Sequence, residues 1–291
     1  MNKKTLLAEM ERLGMHPGRG LGQNFLLDGN LLDAIVRLAA PRPEEELLEV
    51  GPGFGALTER LLKTGAKLTA IEFDRRLAAF LRNRYDGVPG FRLIEADACR
   101  VDYDELFPDG LRYRVIANLP YAISSVFIAR ISSAANPPEE MLLMLQLEMA
   151  ERLAAAPRSK NYGALSVRLQ LACEVGIERR VPPEVFLPPP AVESAVVRLR
   201  RRAGDKLSRE ERRRLDSMLN LLFSQRRKQM GKVLGGSYGR ERSLAALAAA
   251  GIAPETRPDA VPPELFLRLS RELDGRAKLP AGGVPSVENA K

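Results

Sequence analysis

Two short stretches hold residue types that could do chemistry. In LLEVGPGFGALTERLL (47–62), Gly51, Gly53 and Gly55 stand between an apolar run and a helical pattern. Glycines in such a turn let the backbone come close to a ligand. Glu49 lies two residues before the first glycine, and Glu72 lies twenty-one residues after it. A carboxylate at the end of the second apolar run can accept hydrogen bonds from both hydroxyls of a ribose. Asp97, in EADA (95–98) after a third run, can sit near an adenine amino group. The second stretch is NLPY (118–121), at the end of a fourth run. It offers an amide at Asn118, a carbonyl at Leu119 presented by the fixed φ of Pro120, and an aromatic ring at Tyr121.

The glycine loop admits a dinucleotide reading, because Gly51-Pro52-Gly53-Phe54-Gly55-Ala56 fits G-x-G-x-x-A. The spacing Glu49-x-Gly51-x-Gly53-x-Gly55 instead resembles the S-adenosylmethionine (SAM) methyltransferases. That cofactor has no pyrophosphate, and an acidic lip suits its cationic sulfonium and amino groups. A SAM loop followed by Asn-Leu-Pro-Tyr resembles the enzymes that methylate amino groups of nucleic-acid bases. The N6 nitrogen of adenine is a poor nucleophile, because its lone pair is delocalised into the ring. Two acceptors aimed at the N6 hydrogens favour a pyramidal nitrogen, and the Asn118 side-chain oxygen and the Leu119 carbonyl can supply them. Tyr121 offers a stacking face. No strong general base is needed, since the alkylated nitrogen can lose its proton to water.

These residues must be placed by a repeating frame. Apolar runs of strand length fall at 46–50, 67–72, 91–96, 112–118 and 140–146, with helical patterns between the early ones. CEVGIERRV (173–181) and SAVVRLRR (194–201) read as paired strands at the far edge. Strand–helix alternation predicts right-handed crossovers and a mostly parallel seven-stranded, Rossmann-like α/β sheet. The pattern turns helical after Arg202, with a boundary expected near Ala203–Lys206. The expected organisation is a catalytic domain over 1–202 with an N-terminal arm, a smaller helical domain over 203–275, and a disordered tail over 276–291.

Composition narrows the function classes. Hydrophobic residues make up 45% of the 291, enough for a sizeable core, and no apolar run reaches bilayer length. The N-terminus does not read as a secretory signal. Cys99 and Cys173 lack metal-ligand spacing, and the single histidine is His16, so no metal site is expected and a reduced cytoplasmic setting is the simplest. The net charge is +8, yet residues 198–232 alone hold thirteen Lys or Arg and four Asp or Glu, a balance of +9. The remainder therefore sums to −1, so a concentrated basic segment rides on a near-neutral body, as a polyanion-binding protein would have.

The motifs LGQNFLLD, EVGPGFGALT, IEFD, EADA, NLPYAIS and VFLPPPAVESAVVRL occur in the order found in the ribosomal RNA adenine N6,N6-dimethyltransferases. LQLEMAERLAA, SKNYGALSV and FSQRRK extend this resemblance to about residue 270, and it is closest to the KsgA-type enzymes of the small ribosomal subunit. The resemblance implies that Asn24 and Leu26 help enclose SAM, with Gly51, Gly53, Glu72, Asp97 and Asn118. It implies that Phe186 stacks on the target adenine opposite Tyr121. It implies a partner in 16S ribosomal RNA, within the small subunit or its precursor, gripped by the basic segment through Arg226, Arg227 and Lys228. The product would be two adjacent dimethyladenines near the 3′ end. A monomer is expected. The run before GQNF holds only Arg19, and Ala122 follows Tyr121 where relatives often carry Asn or a second aromatic. The alternatives are a 23S ribosomal RNA dimethyltransferase and a small-subunit assembly factor whose catalysis is incidental.

Overall fold

The protein is described here by a computed structural model over residues 3–15, 24–203 and 207–273. Arg19, the boundary residues 204–206 and the tail 276–291 lie outside these described residues.

Seven strands form one sheet: β1 (Glu46–Val50), β2 (Lys67–Glu72), β3 (Phe91–Glu95), β4 (Tyr113–Asn118), β5 (Glu140–Gln146), β6 (Cys173–Val181) and β7 (Ser194–Arg201). Their spatial order is 3-2-1-4-5-7-6. Strands β1 to β5 pair in parallel, and β7 runs antiparallel to both neighbours, β5 and β6.

Adjacent residues on the central strands bury into opposite faces, which is why these strands are apolar throughout rather than alternating. Leu48, Val115, Leu143 and Val197 enter one core cluster. Their neighbours Leu47, Ile116, Leu142 and Val196 enter the other. Each fully buried side chain of this kind contributes about 1.5–3 kcal/mol relative to exposure.

Local chemistry sets where the helices begin. Asp28 caps helix Gly29–Ala39 by accepting from the Leu31 N–H at 2.7 Å. Asp74 caps helix Arg75–Arg84 by accepting from the Arg76 N–H at 2.8 Å. Helix Ala56–Leu62 starts directly after the glycine loop. The order reverses between β1 and β4, so the loops leaving their carboxyl ends diverge and open a crevice there.

The amino ends of the strands are tied by ions. Glu140, 9% exposed at its side chain, meets Arg114, Arg198 and Arg200 at 3.2, 2.8 and 3.2 Å. Arg114 also grips Glu45 through two bonds of 2.6 and 2.8 Å.

One pairing has no counterpart in the sequence patterns. Phe25–Leu26 forms a two-stranded antiparallel ladder with Phe186–Leu187, and the Leu27 N–H donates to the Val185 carbonyl at 3.0 Å.

The chain divides into two compact units, one of residues up to Ala156 with Lys160–Arg209, the other of Pro157–Ser159 with residues from Glu210. The second unit is helical: Arg209–Ser224, Met230–Tyr238, Arg240–Ala250 and Pro263–Glu272. Its buried side chains include Leu219, Leu222, Leu234, Leu247, Phe266 and Leu269. Gly231 sits against Pro254, where an added Cβ would lie 2.9 Å from the proline Cβ.

Candidate active site

A cleft opens at the carboxyl ends of β1, β2 and β4. Gly51 and Gly53 line it from the loop after β1, Glu72 from the end of β2, and Asn118 to Tyr121 from the end of β4. Asn24 and Leu26 close it from the segment leading into helix Gly29–Ala39, and Leu6 reaches it from helix Lys3–Arg12.

The glycines are required by geometry. Gly51 has φ +68° and Gly53 φ +59°. A Cβ on Gly53 would lie 3.1 Å from the Phe25 ring, which packs edge-on against Phe54 with centroids 5.0 Å apart. The backbone thus forms a cradle that a side chain would fill.

Two carboxylates line this cradle. Glu72 is 4% exposed and accepts three main-chain N–H bonds, from Gly53 at 3.1 Å, Phe73 at 2.9 Å and Asp74 at 3.0 Å. Burial nevertheless holds its pKa above the usual carboxylate value. A carboxylate offers about four lone-pair directions, so acceptor capacity remains. Glu49 is 2% exposed and accepts the Thr58 hydroxyl at 2.6 Å. Burial pushes its pKa up to about 8, against the Thr58 bond and with added repulsion from Glu72. Immediately beyond Glu72, Phe73 is 66% exposed, an open apolar face where a nucleoside ring could lie. Apolar walls, two acidic groups and open backbone suit a cationic nucleoside such as SAM.

The NLPY turn is anchored on both sides. Asn118 donates from Nδ2 to the Asn24 carbonyl at 3.3 Å. Among the described residues nothing donates to its Oδ1. The Leu119 N–H continues the ladder to the Met144 carbonyl at 3.3 Å. Tyr121 begins a three-residue 3₁₀ turn, and its carbonyl accepts the Ser124 hydroxyl at 2.9 Å. Its phenol meets the Ser194 hydroxyl at 2.6 Å.

Two residues expected at the site do not line this cleft. Phe186 is 2% exposed and packs among Leu26, Ile35 and Val196. Its main chain pairs with Leu26, which lines the cleft, while Phe186 itself is not part of the lining. Asp97, like Phe73, lies outside the lining. Its Oδ1 accepts the Cys99 N–H at 2.8 Å, and its Oδ2 is 3.5 Å from Arg100.

The basic trio separates as well. Arg226 donates to the Ser159 carbonyl at 3.0 Å and lies 3.6 Å from Asp259, so it ties the helical unit together. Arg227 and Lys228 instead line a shallow concavity with Lys232, Arg257 and one carboxylate, Glu255. Lys232 and Arg257 were not singled out in the sequence, because only folding brings 257 beside 227.

Strand order 3-2-1-4-5-7-6 and an acidic, glycine-cradled cleft define a SAM-dependent methyltransferase. Comparison with known proteins narrows the class. Residues 18–275 match the family model described as ribosomal RNA adenine dimethylase. The chain belongs to that family, whose cofactor is SAM. It is 41% identical over 266 residues to the "Ribosomal RNA small subunit methyltransferase A" of Bordetella petrii, covering 91% of this chain and 96% of that one. It is 37% identical over 277 residues to the protein of the same name from Moorella thermoacetica, covering 92% and 96%. Among solved structures, a dimethyladenosine transferase from Plasmodium falciparum matches with a TM-score of 0.73 and 27% identity, over 84% of this chain and 95% of that one. The 23S rRNA methyltransferase ErmE matches with a TM-score of 0.64 and 32% identity, over 86% and 100%.

Proposed function

We propose that this enzyme dimethylates the N6 amino groups of two adjacent adenines near the 3′ end of 16S ribosomal RNA. It would act as a cytoplasmic monomer on the small subunit or its precursor. The observation that carries the chemistry is the orientation of Asn118. Its Nδ2 is held by the Asn24 carbonyl, which leaves Oδ1 as the acceptor facing the reaction. The choice of small subunit is supported by relatives of that name matched along nine-tenths of the chain.

In this reading Glu72 accepts from the ribose hydroxyls, Phe73 covers the cofactor's base, and Glu49 faces its cationic end. When bound, SAM supplies an electrophilic methyl group on a positively charged sulfur. Asn118 Oδ1 and the Leu119 carbonyl hold the two N6 hydrogens of the target. The nitrogen lone pair is thereby turned toward the methyl group, and orientation supplies much of the rate. Tyr121 stacks on the base, which must leave its helix at a cost of a few kcal/mol. Stacking worth about 1–3 kcal/mol offsets much of that. Water takes the released proton. Every adenine presents the same N6 edge, so site choice comes from RNA shape and backbone contacts. Arg227, Lys228, Lys232 and Arg257 are suited to those contacts.

The test is incubation with labelled SAM and, separately, small and large subunits that lack these modifications, followed by mapping of the methylated adenines. Label at adjacent adenines of the small subunit is expected. Label on the large subunit alone would support the ErmE-like alternative, and no transfer to either would leave an assembly role.

A further inference from the structure

We infer that Ser194 is a positioning residue for methyl transfer, acting through the hydroxyl of Tyr121 to set the plane of the base-stacking ring. This rests on the reading of Tyr121 as a wall of the base pocket.

The two partners differ in rigidity. Ser194 opens β7, an interior strand. Its Cα is paired with Gln146 of β5 on one side and Val181 of β6 on the other. The residue is 0% exposed. Among the described residues, the Tyr121 phenol, 2.6 Å away, is the only hydrogen-bond partner of its hydroxyl. Tyr121 stands at the start of a short 3₁₀ turn with its ring only half-buried. Its main chain is held by Pro120 and by the Ser124 hydroxyl at 2.9 Å, but neither restrains rotation of the ring about its side-chain torsions. The Ser194 bond does so, and it transmits the rigidity of a strand paired on both edges to a ring on a turn.

A serine that only filled space here could be replaced by alanine with little consequence. A polar group buried at a strand start needs a partner, and the partner found is a pocket residue 73 positions away. The bond couples the sheet to the ring face, where a small misorientation is costly to rate and cheap to stability.

The experiment is a double-mutant cycle on the full chain with unmodified small subunits. Ser194→Ala and Tyr121→Phe each remove the same bond from opposite ends. Each is expected to lower the single-turnover methylation rate by roughly 10-fold, with SAM affinity unchanged. The double variant is expected to be no slower than either single one, since both act through one bond. Tyr121→Phe also covers the case in which Ser194→Ala folds poorly, because it breaks the bond from the partly exposed side. A normal rate in Ser194→Ala, or losses that multiply in the double variant, would overturn the positioning role. A wild-type protein that binds SAM but methylates neither subunit would overturn the functional reading, and this inference with it.

Discussion

Pro120 packs directly on the face of Gly51. A Cβ built on Gly51 would lie 2.8 Å from Pro120 Cγ and 2.9 Å from Cδ. The cofactor loop and the turn that presents the Leu119 carbonyl therefore meet in van der Waals contact, across the neighbouring strands β1 and β4. Neither glycine nor proline is there for its own turn alone.

Gly51→Ala should accordingly do two kinds of damage. It places a side chain at φ +68° and drives it into a rigid ring. Strain and overpacking together should cost roughly 2–4 kcal/mol of stability. SAM affinity and methylation rate should both fall, because Pro120 must shift. Calorimetry of SAM binding alongside thermal unfolding checks this; a variant of normal stability and rate would show that the contact relaxes freely.

Asn118→Ala removes the Oδ1 acceptor and the bond to the Asn24 carbonyl. The rate of transfer should fall by about 10²–10³, the loss typical of one preorganised polar group at a reacting centre. Asn118→Asp keeps an acceptor but loses the Nδ2 donor, so it should retain more rate while loosening the Asn24 segment. Proteolysis near residue 24 and single-turnover kinetics separate the two effects.

The buried Glu49 predicts a pH dependence with a definite sign. Its ordinary pKa of 4.5 rises to about 8 in the folded protein. Between those values the unfolded chain has released the proton and the folded one keeps it. Stability therefore falls as pH rises from about 4.5 to 8, and levels off above. The slope contributed approaches about 1.4 kcal/mol per pH unit. In ligand-free Glu49→Gln this slope should disappear, leaving the variant relatively more stable at pH 8 than at pH 5. Binding of cationic SAM should favour the ionised carboxylate and release a proton near neutrality. Thermal unfolding across pH, and binding heats in buffers of different ionisation enthalpy, give the two readouts.

Arg227, Lys228, Lys232 and Arg257 should behave unlike Arg226. Substituting any of the four by Gln should weaken subunit binding and lower the log–log salt slope by roughly 0.7–0.9 per lost phosphate contact. Arg226→Gln should instead lower the stability of the helical unit, through loss of Ser159 and Asp259, with a smaller change in slope. Equal slopes for all five variants would reject this division.

Glu140→Gln tests the ion cluster at the amino ends of the strands. Arg114 and Arg198 each keep a second carboxylate, Glu45 and Glu178, so the loss should stay near 1–3 kcal/mol rather than the full cost of an orphaned charge. SAM affinity should not move, since the cleft lies at the opposite ends of these strands.

Strands β1 to β5 were legible in the sequence because each is a local apolar run, and the helices between them because their periodicity and capping residues are local too. The glycine loop and NLPY were legible for the same reason: a turn needing positive φ or a fixed carbonyl writes its demand into consecutive residues. The rest depends on pairs far apart in the chain. Phe186 pairs with Leu26, 160 residues away in sequence, and no pattern near either residue announces it. The raised pKa of Glu49 comes from its burial, which its spacing from Gly51 cannot express. Arg226, Arg227 and Lys228 look alike as a run of cations, yet the fold turns Arg226 onto Ser159 and leaves its neighbours facing solvent beside Arg257. The Asn118 amide became an oriented acceptor only when the Asn24 carbonyl took its N–H, because an amide presents oxygen or nitrogen according to the partner that tertiary contact supplies.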